Sequence, residues 1–184
     1  MTQTEEAAKK GGSGGLSQAD KIKIIQARAG LIGLLTDAKA SLATWDDAAK
    51  ASFKTSFGTD SAAAHDLISG RVDRELALVN SMTLSNFKID ASAGSGTFAY
   101  VYPGDSTHTV HLGPSFWSAP LSGVDSSAGT LRHEISHFRD IGGTKDGFPN
   151  PTYGLPASSG LAGSSPGNAL HHADTFEYYL ERAP

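Results

Sequence analysis

The chain has 184 residues, no cysteine, 39% hydrophobic and 18% charged side chains, and a net charge of −4. Without cysteine, disulfides and thiolate metal sites are excluded, so any metal must rest on His, Asp, Glu or water. The basic residues are scattered, which argues against a nucleic-acid surface, and no apolar run approaches the roughly 20 residues of a membrane span. Residues 1–15 are polar and Gly-rich and are expected to form a disordered tail; they contain no apolar stretch of the kind a signal peptide carries. Residues 16–184 are expected to form one domain, with a helical lobe over 16–82 and a sheet and metal-site region over 83–184.

Ser17 and Asp20, three apart, mark a helix start. Ile22, Ile25, Ala29, Ile32 and Leu35 follow at helical spacing. A second helix is expected over 37–53, with Leu42, Trp45, Ala49 and Phe53 on one face and a break at Gly58. A third carries Leu67, Ile68, Val72, Leu76 and Val79 as its inner stripe. After Met82 the character changes. "LSNFKID", "TFAYVYP" and "THTVHLG" are short, β-prone and separated by Gly, Ser and Pro, which predicts a small antiparallel sheet. The alternating Phe98, Tyr100 and Tyr102 read as sheet packing. His108 and His111 fall on opposite faces of the third strand. A further helix is expected to begin near Val124 or Ser127 and to end at Gly142 and Gly143. Residues 144–167 read as a long loop, and 168–181 as a last helix.

His133-Glu134-Ile135-Ser136-His137 is an H-E-x-x-H pattern on the predicted fourth helix. Positions i and i+4 share a helix face, so both imidazoles can point at one Zn2+ ion. Glu134 is placed to take a proton from a water at that ion. Leu131, Ile135 and Phe138 are expected to bury the same helix. A catalytic zinc needs a third protein ligand. A histidine six residues beyond His137 is ruled out, because that position is Gly143. Glu177 on the last helix is one choice. Asp146 is another, because the diglycine lets the chain turn back towards the histidines.

The stretches "GTLRHEISHF", "GGTKD", "YG" and "NALHHADTFEYY" resemble the aspzincins, the deuterolysin-like zinc endopeptidases, and most closely their peptidyl-Lys branch. The likeness runs from about Thr109 to Tyr179. It implies an α+β zincin-like metalloprotease: an N-terminal helical lobe, a small antiparallel sheet, the HExxH helix and a C-terminal helix. It also implies a single Zn2+ held by His133, His137 and Asp146, with Glu134 as general base and Tyr153 on the oxyanion. Asp174 and Glu177, three apart on the last helix, would line an S1′ pocket that accepts lysine. The implied partners are peptide substrates, with no nucleic acid or membrane, and the chain is expected to be a monomer. The implied location is secreted or exported, or delivered as an effector by a signal-independent route. In this chain "GFPNPT" separates Asp146 from Tyr153 where the family has two residues, and Pro149 and Pro151 are expected to fold the excess into a turn. His171 and His172 are adjacent and cannot both face the site from one helix, so one or both are expected to be exposed. The alternatives are a zinc hydrolase using Glu177 as third ligand, and a binding or effector module with a structural metal.

Overall fold

A computed structural model describes residues 15–148, 150 and 152–182. The expected tail therefore lies outside the described residues, apart from Gly15, as do Pro149 and Pro151 of the loop.

Helix α1 (Gln18–Thr44) starts at the expected cap. The Asp20 amide donates to Ser17 Oγ at 3.1 Å, and the Ser17 amide donates back to the Asp20 carboxylate at 3.0 Å. The helix continues through the break expected between the first two helices. No residue between Leu35 and Leu42 stops it, and it ends where Trp45 turns left-handed (φ 44). Asp46 then caps α2 (Asp47–Phe57) by accepting from the Ala49 amide at 2.9 Å.

The buried stripe of α1 is Ile24, Ala27, Leu31, Leu35, Ala38 and Leu42. The expected stripe was rotated from it and shares only Leu35; Ile22 and Ile25 are exposed. Isoleucines lie on both sides of this helix, so spacing alone does not select the inner face. α3 (Ala62–Ser81) runs over the expected residues and buries Ile68, Val72 and Val79. Phe53 and Phe57 of α2 complete this part of the core, each wholly buried and in edge or tilted contact with Tyr179. Each such burial contributes roughly 1.5–3 kcal/mol before packing effects.

Three short strands follow: β1 (Phe87–Ile89), β2 (Ala99–Val101) and β3 (Val110–Leu112). They lie in the order β1-β3-β2. The fold class is α+β as expected, but the sheet is mixed: β3 is antiparallel to β2 and parallel to β1. Ala99, Val110 and Leu112 face the core. Tyr100 lies on the opposite, outer face, where its ring stacks on His111 at 4.7 Å, and Tyr102 meets both rings edge-on. Phe98 is 41% exposed. The aromatic stripe therefore coats the outside of the sheet and does not pack inside it.

Helix α4 (Ser127–Ser136) runs through the middle of the molecule with all ten residues buried. It ends six residues before the diglycine, because the chain tightens there into turns. The Ile141, Gly142 and Gly143 amides all donate to Phe138 O, and the Thr144 amide returns to Ser136 O at 3.1 Å. Gly142 passes so close to Ser136 O that a Cβ would overlap it, and Gly143 sits at φ +59. Both glycines are needed for the reversal. The expected long loop contains α5 (Leu155–Ser164) and α6 (Pro166–Ala169), and α7 (Ala173–Glu181) closes the chain against α4.

The helical lobe grips α4 through a buried ion pair. Arg132 Nε lies 3.2 Å from Glu75 Oε2, and both side chains are essentially inaccessible. The Arg132 guanidinium also lies over the Phe176 ring at 4.2 Å. Beside it, Arg71 donates to His171 Nδ1 at 2.8 Å and Arg74 to Ile141 O at 2.9 Å.

Candidate active site

His133 and His137 sit one turn apart on the same side of α4, with ring centroids 4.9 Å apart. The diglycine reversal brings Asp146 back over both rings. Its Oδ1 lies 3.0 Å from His133 Nε2 and 2.9 Å from His137 Nε2. Glu134 is buried beside them, and its carboxylate faces the same cavity.

The outer nitrogens of the two rings show what the inner ones can do. His133 Nδ1 lies 2.8 Å from Asp174 Oδ1 and 3.3 Å from Glu177 Oε2. His137 Nδ1 lies 3.1 Å from the Thr144 carbonyl. These partners accept, so both rings carry a proton on Nδ1 and donate it outwards. In the neutral rings Nε2 is then a lone pair, and both lone pairs face the Asp146 carboxylate. With both rings neutral, two lone pairs meet the Asp146 oxygen at 2.9–3.0 Å, an arrangement that a cation, whether a ring proton or a metal ion, stabilises. Three ligands on a tetrahedral zinc, each roughly 2.0–2.1 Å from it, are spaced by about 3.3 Å. The donor set and its spacing therefore fit zinc, and the outward hydrogen bonds are those that orient ligating histidines.

The titration of these groups follows from the same crowding. Burial opposes a charge on His133, but the carboxylates of Asp146, Asp174 and Glu177 outweigh it and hold the pKa well above the ordinary histidine value. Burial works against the Asp146 anion too, yet His133 and His137 hold its carboxyl well below the usual range. Burial raises Glu134, partly offset by the two histidines.

The site opens into a cavity of about 1150 Å³. Asp174 and Glu177 line it, and so do Tyr153 and one side of β2. Because β3 is the central strand, it has no free edge; the strand edge available to an extended chain is that of β2. Asp174 also accepts from the Gly154 amide, next to Tyr153. Tyr153 is 63% exposed at the cavity wall, and partial desolvation together with the nearby Asp146 carboxylate raises its phenol. The six residues before it do not carry it away, because the Thr152 amide donates to Asp146 O at 2.8 Å and closes the loop at its neck.

A family model for the lysine-specific metallo-endopeptidases, the aspzincins, matches residues 42–181. The chain belongs to the aspzincin family. This aspzincin is 46% identical over 107 residues to a peptidyl-Lys metalloendopeptidase of Grifola frondosa, an alignment covering 58% of this chain and 29% of that protein. It is 44% identical over 95 residues to an extracellular protease of Aeromonas hydrophila, covering 52% of this chain and 26% of that protein. The matches thus span under a third of the length of either relative. Among solved structures, a zinc peptidase from Grifola frondosa superposes with a TM-score of 0.76 at 33% identity, covering 90% of this chain and 96% of that one.

The seven residues singled out in the sequence all reach this one cavity. Two further residues at the site went unrecognised. Thr144 supplies the acceptor for His137, and its hydroxyl lies 2.5 Å from Ser136 Oγ. Of the adjacent pair, of which one or both members were expected to be exposed, His171 is exposed and His172 is wholly buried. The signal for His172 was its spacing from Thr175: it is the N-cap of α7, so it obeys cap geometry and not the helical period.

Proposed function

We propose that the chain is a zinc-dependent endopeptidase that cleaves peptide bonds on the amino side of lysine. The observation that carries this reading is the convergence of His133 Nε2, His137 Nε2 and Asp146 Oδ1 beside Glu134, at the base of an open cleft. His133, His137 and Asp146 would hold the ion. When bound, zinc polarises a carbonyl and makes a nearby water more acidic. Glu134 accepts a proton from that water as its oxygen bonds to the scissile carbon. The same carboxyl returns the proton to the leaving nitrogen as the C–N bond breaks. Tyr153 donates a hydrogen bond to the oxyanion that develops. The free edge of β2 pairs with the extended substrate. Asp174 and Glu177 attract the lysine ammonium within the partly closed cleft, where charges interact more strongly than in water, and they disfavour neutral side chains.

Glu177 as third zinc ligand is disfavoured by its position. It meets the Nδ1 of His133, on the far side of the ring from the nitrogen that faces His137. Residues 16–184 are read as one catalytic domain acting as a monomer on protein substrates, without nucleic-acid or membrane partners. The likeness to an extracellular protease supports action outside the cell. Among the described residues no helix is long and apolar enough to cross a membrane.

The deciding experiment is digestion of a denatured protein by the zinc-loaded chain, followed by sequencing of the new N-termini. Lysine should lead them, a chelator should stop the reaction and zinc should restore it. Cleavage without lysine at the new termini overturns the specificity. An absence of cleavage by the zinc-loaded chain leaves a structural metal in a binding module.

A further inference from the structure

His172 lies where the last helix meets the loop that carries Asp146. The backbones pair there: the Lys145 amide donates to His171 O at 2.9 Å, and the Ala173 amide to Lys145 O at 3.0 Å. The ring of His172 is wholly buried and does not line the cavity. Its Nδ1 lies 3.3 Å from the Thr175 amide, which can only donate, so Nδ1 carries no proton. The Thr175 hydroxyl, 3.1 Å from the same nitrogen, then donates to it as well. Nε2 lies 3.2 Å from the Asp146 carbonyl and 3.1 Å from the Thr152 carbonyl, both of which can only accept. The amide and the two carbonyls select one tautomer, with the proton on Nε2, and the hydroxyl is compatible with it. That proton is shared by the two carbonyls at the neck of the 147–151 excursion. One belongs to the residue whose carboxylate faces His133 and His137, and the other precedes Tyr153.

We propose that His172 is the positioning residue of this site: its Nε2–H clamps the Asp146 and Thr152 carbonyls together and so sets the Asp146 carboxylate on the two histidines and Tyr153 at the cleft. This rests on the reading of Asp146 as a metal ligand. His172 touches neither substrate nor the reacting atoms, and any effect it has passes through the loop. Its burial alone would equally suit a packing residue, so the test must separate clamping from filling.

The full chain would be compared with His172→Leu, which fills the space without a donor, and His172→Gln, which restores an N–H at similar reach. Three quantities are read: zinc affinity by competition with a chromophoric chelator, hydrogen exchange of the Thr152 amide, and kcat and KM on a lysine-containing peptide. In His172→Leu, zinc binding should weaken about 10- to 100-fold, the range known for residues that orient ligands. Thr152 exchange should accelerate and kcat should fall more than KM. His172→Gln should recover most of each loss. Equal behaviour of the two variants, or a Leu variant with wild-type zinc affinity and Thr152 protection, overturns the clamp. If the Leu variant fails to fold, the wild-type ring decides: its 15N–1H spectrum must show the proton on Nε2, and a proton on Nδ1 overturns the proposal. Should Asp146→Ala bind zinc like the wild type, the ligand assignment has failed, and Thr152 exchange in His172→Leu still decides the clamp.

Discussion

In α1 to α3 the wholly buried side chains are aliphatic or aromatic, with Arg71 and Glu75 as the exceptions among the described residues. In α4 and α7 the buried set includes Thr130, Arg132, His133, Glu134, Ser136, Asp174, Thr175 and Glu177. Burying polar and charged groups is costly unless each is paired; His133, Asp174 and Glu177 pair with one another across the α4–α7 contact, Ser136 with Thr144, and Thr175 with His172. The exceptions in the lobe belong to the same economy, since Glu75 reaches Arg132. The lobe therefore behaves as a hydrophobic buttress, and the α4–α7 layer as a polar device held in place by it.

The sharpest way to break this contrast is Glu134→Gln. Removing the proton acceptor while keeping its shape should lower kcat/KM by about 10²–10⁴-fold, with zinc content by metal analysis and thermal midpoint near wild type. Glu75→Leu acts on the link between the two regions. It leaves the Arg132 charge buried and unpaired, which costs about 3–5 kcal/mol; at this chain length that lowers the thermal midpoint by roughly 10 °C. Calorimetry should find Phe53→Ala comparably destabilising, at about 3–5 kcal/mol, but at a temperature where both proteins are folded its zinc affinity should equal the wild type. A loss of zinc affinity there would dissolve the distinction between buttress and device.

Gly129→Ala is a gentler probe of the device. A methyl at this position on α4 would overlap Glu181 Oε1 and stand 2.7 Å from Glu177 Oε1. Both carboxylates would have to swing aside, and Glu181 would give up the bonds it accepts from Asp125 and Ser126, so the thermal midpoint should fall modestly and selection for lysine over other residues at the new N-termini should weaken. The smallest effect concerns pH. Glu181 accepts from the Asp125 and Ser126 amides, but burial raises its pKa to about 7 from an ordinary value near 4.5. The folded chain holds that proton more tightly than the unfolded one. Its contribution to stability is thus full below about pH 4.5 and is lost as pH rises through 7. Urea midpoints of the wild type should fall across that window relative to those of Glu181→Gln.

The contrast also explains what could be read from the sequence. The third helix and the Ser17 cap were legible because they follow local rules, and the HExxH pair because two histidines four apart share a face wherever a helix forms. The inner side of α1 was not legible, because α3 and α4 choose it. α5 reads as a loop in "LPASSGLAGS" since Gly and Ser dominate it, yet Pro156 starts it and Ser158 and Ala162 bury against their surroundings. The third ligand stayed open between Asp146 and Glu177 on spacing alone; the fold shows them on different nitrogens of one ring. The parallel pairing of β1 with β3 depends on a register that no short motif records.

The closed neck between Asp146 and Thr152 has a consequence for how such a chain can vary. With its two ends fixed to each other and to α7, the excursion between them can lengthen without retuning anything downstream. Doubling a loop of this kind costs only about 0.6 kcal/mol in chain entropy. The neck thus turns a stretch beside the reacting centre into a tolerant graft point, where new surface can be tried while the chemistry is inherited unchanged.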